Sequence, residues 1–371
     1  MKFTCQKTEL VQAIQTVSKA VSSKPQMPVL SGIYLKAEDG TLELQATDYE
    51  IGILCQIGAE VETPGNIVLS GRYLQEVTRR LPGETVEIDF DRQEQIAHIR
   101  SNTANFTLLS MPASDFPTIH ALDGNINFKI RDNILRDLIS KTAFACSNDE
   151  ARPVFTGCSM ELNDSSVTMA ATNTHRLAVK TEVLDDFTGS MKIIIPAKIL
   201  GELSRIMISE IPEYVDVTCS YNQISFRFDH VYLTSRLIEG QFPDYRRVIP
   251  PEFHTRVTLD TDGFSAAVDR VSLISRSGDY NVITLEFAGS QVRIFSNNPD
   301  IGNAEETMPA IIDGPDVTIS FNAKYVTDVL KNLTSDTFYF SLNETLSPAA
   351  VRQPEDDTFT YIVTPVRTAA H

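Results

Sequence analysis

Ser70-Gly71-Arg72-Tyr73-Leu74-Gln75-Glu76-Val77-Thr78-Arg79-Arg80-Leu81 is the stretch that decides the fold, because its pattern occurs three times at one interval. Adding 126 to Leu74, Val77 and Leu81 gives Leu200, Leu203 and Met207, and adding 126 again gives Val326, Val329 and Leu333. By the same step Arg72 and Arg79 map onto Lys198 and Arg205, then onto Lys324 and Lys331. At about 100° per residue the two cations of a copy fall within about 20° of each other on a helix, and the apolar triplet falls on the far side. Each copy is therefore predicted to be a helix with an apolar back and a basic front. Ser70 and Asn322 are good N-caps, and Pro196 suits a first turn. Glu76, Glu202 and Asp328 stand four residues after the first cation, so intrahelical ion pairing competes with a shared ligand as the reason for the charges. Recurrence of the cations at the same two places in three copies favours the shared ligand.

A chain of 371 residues at this period divides into three domains of ordinary size, placed at 1–124, 125–251 and 252–371. Apolar residues at 42% and charged residues at 22% mark a globular protein. No apolar run approaches a membrane span, and Met1-Lys2-Phe3-Thr4-Cys5 leads straight into structure, so a cytoplasmic location is expected. The five cysteines lack CxxC or metal-finger spacing and read as small core residues in a reducing compartment. Neither a metal nor a cofactor is expected. A net charge of −17 argues against indiscriminate wrapping of nucleic acid, yet it allows DNA binding if the cations are gathered on one surface.

Taken in order, residues 2–6 read as a strand and Thr8 as the cap of a helix through Leu10, Ile14, Val17 and Val21. Strands Leu30–Ala37, Leu42–Ala46 and Ile51–Ile57 follow. The order then returns as strand Asn66–Leu69, the Ser70–Leu81 helix, and strands Val86–Phe90, Ile96–Ser101 and Phe106–Ser110. One domain is thus two β-α-β-β-β halves. Helices near Asp132–Phe144, Thr261–Leu273 and Asn322–Leu333 continue the scheme, as do strands Ile283–Phe287, Val292–Ser296 and Thr358–Thr364. Pro153-Val154-Phe155-Thr156-Gly157 repeats Pro28-Val29-Leu30-Ser31-Gly32, and Ala171-Thr172-Asn173 repeats Ala46-Thr47-Asp48, both 125 residues on.

One helix per four strands predicts an α+β class, with antiparallel sheets outside and helices on a single side. Six helices about 9 Å apart in a circle would leave a hole of only about 7 Å, and twelve would leave about 24 Å. A DNA duplex is about 20 Å wide. If DNA threads such a ring, two chains are needed.

Pro112-Ala113-Ser114-Asp115-Phe116-Pro117, Ala171-Thr172-Asn173-Thr174-His175-Arg176-Leu177-Ala178 and Gly240-Gln241-Phe242-Pro243-Asp244-Tyr245-Arg246-Arg247-Val248 are the most specific strings in the chain. With them the chain resembles the bacterial DNA polymerase III beta subunits, the sliding clamps, from Met1-Lys2-Phe3 to Val363-Thr364-Pro365-Val366-Arg367. The resemblance implies the DNA-clamp fold, with helices lining a central hole. It also implies a head-to-tail homodimer that encircles duplex DNA and tethers a polymerase as a non-catalytic processivity factor. Phosphate contacts suit that role because they are blind to sequence and leave DNA free to slide. Lining residues on this reading are Arg72, Arg79, Lys198, Arg205, Lys324 and Lys331, followed by Lys24, Arg80, Lys141 and Arg152.

The family's partner-peptide pocket would fall on Phe155, Thr172, His175, Arg176, Leu177, Pro243, Arg247, Val248, Asn322, Tyr325, Ile362, Thr364, Pro365 and Arg367. In it, Leu177, Pro243, Val248 and Ile362 would form an apolar slot, and His175, Arg176 and Arg247 would donate to the peptide backbone. The partners implied are the replicative polymerase alpha subunit, the clamp loader complex, and other clamp-binding polymerases and repair proteins. Phe106 and Leu109 would meet Leu273 and Ile274 of a second copy at the dimer contact. Thr364 stands where many relatives have an apolar residue, Phe155 is bulkier than the usual aliphatic, and Thr368-Ala369-Ala370-His371 runs past the usual end. Two rival readings are an enzyme and a peptide scaffold that does not encircle DNA. The six histidines are scattered, and HExxH, Walker and G-x-S-x-G motifs are missing from the sequence.

Overall fold

Short apolar runs of period two dominate the chain, and they form antiparallel strands that bury alternate residues. The computed structural model describes residues 1–22, 24–184, 187–207, 213–276 and 281–367, so the extension Thr368–His371 lies outside the described residues. Among them are six α-helices: α1 (Lys7–Val17), α2 (Gly71–Arg80), α3 (Asp132–Thr142), α4 (Ala197–Ile206), α5 (Thr261–Ser275) and α6 (Ala323–Leu330). None is long and apolar enough to cross a membrane.

The chain forms two compact units, and the central sequence repeat contributes to both. The first unit comprises Met1–Asp132 and Arg205–Leu237. Its sheet of 13 described strands runs in the order Ile126–Arg131, Tyr214–Cys219, Gln223–Phe228, Val231–Arg236 and Ile51–Gly58. It continues through Thr41–Thr47, Gly32–Glu38, Gly65–Ser70, Ala104–Met111, Ile96–Ser101, Thr85–Asp91 and Lys2–Gln6 to Glu60–Thr63. Helix α1 buries Leu10, Ala13, Ile14 and Val17, and it packs on α2, which buries Leu74.

The second unit comprises Asn133–Ser204 and Ile238–His371. Its larger sheet has 9 described strands and orders Ser190–Pro196, Gly157–Asn163, Ser166–Thr172, Arg176–Val183, Asp356–Val363, Ala349–Gln353, Thr337–Leu342, Thr255–Asp260 and Ile311–Asp313. A sheet of 4 strands orders Gly302–Pro309, Gln291–Asn298, Val282–Ala288 and Val317–Asn322. Phe264, Phe287, Phe321, Phe338 and Phe340 interlock in its core, with ring centroids 5.5–6.3 Å apart.

Thr8 is not the cap it was expected to be. Helix α1 starts at Lys7, directly after the first strand, and the Glu84 carbonyl takes the Lys7 N–H at 2.8 Å, so a neighbouring loop supplies what a cap would. All five cysteines are free, and four are buried.

Two hairpins turn by the same hydrogen bonds. Thr172 Oγ1 donates to the Arg176 carbonyl at 2.7 Å and accepts from Thr174 N, while Asn173 Oδ1 accepts from His175 N and Arg176 N. In the first unit Thr47, Asp48, Tyr49, Glu50 and Ile51 make the same four bonds. Tyr49 at φ 74° and Thr174 at φ 78° take the left-handed conformation that closes each turn.

Candidate DNA-facing helices and partner groove

The three repeated helices have the faces that their spacing predicts. Leu74, Leu81, Leu200, Leu203, Met207, Val326 and Val329 are buried, and Val77 and Leu333 are half-buried. Arg72, Arg79, Lys198, Arg205, Lys324 and Lys331 are all exposed. Intrahelical pairing accounts for the charges unevenly. Lys324 Nζ reaches Asp328 at 2.9 Å, but Glu76 pairs with Arg80 and lies 4.0 Å from Arg79, while Arg72 rests over the Tyr73 ring at 5.9 Å. Among the described residues Arg72, Lys198 and Lys331 make no ion pair. Lys24, Arg80 and Arg152 are exposed too, with Arg152 held by Asp149 at 2.9 Å and lying over Phe155.

Lys141 corrects the reading. It is 2% exposed, and its ammonium donates to the Asn332 carbonyl and, at 3.1 Å, to Gln353 Oε1. Burial lowers its pKa, against the pull of Asp137 and Asp356. A lysine enclosed in this way has no reach toward a phosphate.

The residues expected to form a peptide pocket all fall in the second unit. Leu177 and Ile362 face each other across paired strands, and both pack into a cluster with Ala170, Ile194, Phe242, Tyr245 and Ala350. Leu177 and Ile362 are buried in that cluster, while Pro243 and Val248 are exposed. Phe242 and Tyr245, which pack in the same cluster, are not named as pocket residues in the sequence reading, although two aromatics in a turn-rich stretch that also carries Gly240 and Pro243 are an available signal. Burial pushes the Tyr245 phenol up to about 12. His175 is exposed and stacks on Tyr325, with ring centres 6.4 Å apart. Thr364 donates to the His175 carbonyl from both N and Oγ1, each at 2.9 Å, which explains a hydroxyl at this position. Asn322 accepts from Lys324 N and caps α6. Phe155 and Pro365 are half-buried, and Arg367 is exposed. Exposed Arg247 is held by Asp244 at 2.9 Å.

Arg176 is the second correction. Expected as a donor to peptide, it is buried and committed. Its guanidinium pairs with Asp328 at 2.6 Å, donates to the Phe144 carbonyl and lies 4.7 Å from the Tyr325 ring centre. It ties Tyr325 and Asp328 of α6 to Phe144. Tyr361 adds to this by donating to the Tyr325 carbonyl at 2.7 Å.

Phe106 and Leu109 are exposed on the strand Ala104–Met111. That strand pairs with Ile96–Ser101 along one side and with Gly65–Ser70 only at Ser110 and Met111. Phe106 is 40% exposed, which excludes an interior role in its own unit. Leu273 is exposed and Ile274 half-buried at the end of α5.

Three family models match along the chain: the DNA polymerase III beta subunit N-terminal domain over residues 1–120, its central domain over 129–244 and its C-terminal domain over 246–367. The Beta sliding clamp of Bacillus subtilis is 36% identical, covering 99% of this chain and 100% of the relative. The chain belongs to the DNA polymerase III beta subunit family. Staphylococcus epidermidis has a Beta sliding clamp 32% identical, covering 99% of this chain and all of the relative. The crystal structure of the Bacillus subtilis sliding clamp superposes with a TM-score of 0.93 at 36% identity over 99% of both chains. The Streptococcus pyogenes beta subunit gives 0.94 at 27% identity over 99% of this chain and 100% of its own. A Pseudomonas aeruginosa sliding clamp solved with griselimycin gives 0.93 at 30% identity over 99% of this chain and 100% of its own. The fold is thus the three-domain clamp fold, and the function is that of a DNA sliding clamp, a non-catalytic processivity factor of DNA polymerase III.

Proposed function

We propose that two copies of the chain close head to tail into a ring around duplex DNA, with domains at 1–124, 125–251 and 252–371. Arg72, Arg79, Lys198, Arg205, Lys324 and Lys331 face the DNA, supported by Lys24, Arg80 and Arg152. The observation that carries this is the three-fold recurrence of an exposed cation pair on helices whose opposite face is buried. Such contacts neutralise phosphates without reading bases, so the ring is free to slide. The dimer contact joins Phe106 and Leu109 of one copy to Leu273 and Ile274 of the other.

The groove around Leu177, Ile362, His175, Tyr325 and Val248 takes the anchor residues of partner peptides. Its users are the replicative polymerase alpha subunit, the clamp loader complex, and other clamp-binding polymerases and repair proteins, all in the cytoplasm. Apolar anchors enter over the Leu177–Ile362 floor, and His175 and Arg247 serve the peptide backbone.

Protein loaded by a clamp loader should stay on nicked circular DNA and run off once the circle is cut to a linear form. Equal retention on both forms would reject encirclement and leave a peptide scaffold.

A further inference from the structure

The hairpin that carries His175 has a twin in the first unit, and the twin borders a cavity of its own. Gly52 faces Thr234 across paired strands, as Leu177 faces Ile362 in the second unit. Phe116-Pro117 opens the crossing segment, as Phe242-Pro243 does 126 residues later. That segment is fixed in place, since Ile119 N donates to Gln45 Oε1 and Leu122 N to the Tyr232 hydroxyl, both at 2.7 Å. Between hairpin, strand and segment lies a cavity of about 350 Å³.

Its walls differ in chemistry from the groove in the second unit. Gly52 and Thr234 replace the Leu177–Ile362 floor, Glu50 replaces His175, and Arg236 replaces Thr364. Glu50, Asp123 and Arg236 all line the cavity and are exposed, and among the described residues none of the three makes an ion pair. Two carboxylates against one guanidinium leave the charged lining acidic, and the facing aliphatic pair is gone, with the Ile119 side chain lying over Gly52 instead.

We propose that this cavity is a second peptide-docking site, selective for an extended segment with a lysine or arginine anchor. The backbone frame is that of the groove assigned to partner peptides, so the inference rests on that assignment, while the anchor is set by the Glu50 and Asp123 carboxylates. Arg236 supplies a donor for the peptide's carbonyls. Specificity here comes from charge, where the other groove uses apolar contact.

The test uses full-length protein and acetylated, diazirine-labelled pentapeptides of alanine with a central arginine, glutamate or leucine, with cross-links mapped by mass spectrometry. The arginine peptide should label residues 47–52 or 117–123, and Glu50→Lys should weaken that labelling about tenfold. Val248→Asp should leave it unchanged. Glu50 is exposed, so the variant should unfold at the same temperature as the parent. Equal labelling by the glutamate or leucine peptide, persistence in Glu50→Lys, or no labelling at this site would overturn the proposal. Labelling by the leucine peptide near Val248, lost in Val248→Asp, reports separately on the groove in the second unit.

Discussion

Lys141, Arg176 and Lys180 are the cations buried among the described residues, and each is held in a different way. Lys180 lies against Glu182 at 2.9 Å, Asp356 at 3.1 Å and Asp137 at 3.5 Å. Burial lowers its pKa, but Glu182 and Asp356 outweigh burial and raise it overall. For Asp356, burial works upward, yet hydrogen bonds from Thr358 and Lys180 hold it below its ordinary 3.8. A carboxyl depressed on folding stabilises above its unfolded pKa, and that contribution fades as pH falls through the folded value. Asp356→Asn should therefore cost about 2 kcal/mol at pH 7, and calorimetric scans should show the deficit shrinking below pH 3.8. A deficit independent of pH would mean the pair contributes little. Lys141→Met should leave retention on circular DNA and its salt dependence unchanged, whereas Lys324→Met should reduce both. A flatter salt slope in Lys141→Met would restore Lys141 to the lining. Sequence could not separate these lysines, because the partner that encloses Lys141 lies 191 residues away. Arg176 was misread for the same reason, its acid Asp328 being 152 residues distant.

At the scale of elements, the stripes were legible because they are local, whereas of the side chains read as caps Asn322 makes its bond and Thr8 and Ser70 do not. The helix read as Ser70–Leu81 spans Gly71–Arg80, and the one read as Thr261–Leu273 spans Thr261–Ser275. The edge strands Glu60–Thr63 and Ile311–Asp313 were not legible, since they are short, largely exposed and defined only by their pairing with Lys2–Gln6 and Thr255–Asp260. Asp260, which the sequence reading does not name as a cap, is a well-formed one. Asp260 Oδ2 accepts from Gly263 N at 2.6 Å, whereas Ser70 makes no side-chain capping bond. Asp260→Ala should destabilise by about 1 kcal/mol, and Ser70→Ala by less than half of that. A Cβ on Gly263 would stand 2.5 Å from Asp260 Oδ2, so Gly263→Ala should displace the same cap despite its better helix propensity. The double variant should then cost no more than the worse single one, and additive losses in thermal unfolding would show two independent effects.

For the whole molecule, the open strand edge at residues 104–109 and the exposed Leu109 and Leu273 call for a second chain, because an uncovered edge with apolar side chains is an aggregation hazard. In the head-to-tail pair proposed above each copy's edge would be covered once: each contact would join the Leu109 patch of one copy to the Leu273 patch of the other, and two such contacts would close the ring. Leu109→Asp and Leu273→Asp should each give the mass of one 41.2 kDa chain by light scattering at micromolar concentration. The symmetry makes a sharper demand on the mixture of the two variants. One contact in the mixed pair joins two altered patches, and the other joins two native ones. Mixing should therefore restore the dimer mass while leaving the ring open, so that loaded protein escapes from nicked circular DNA as fast as from linear DNA. A mixture that both dimerises and holds the circle would place the contact somewhere other than these four residues. One that stays monomeric would show that neither contact is stable unless the other closes with it.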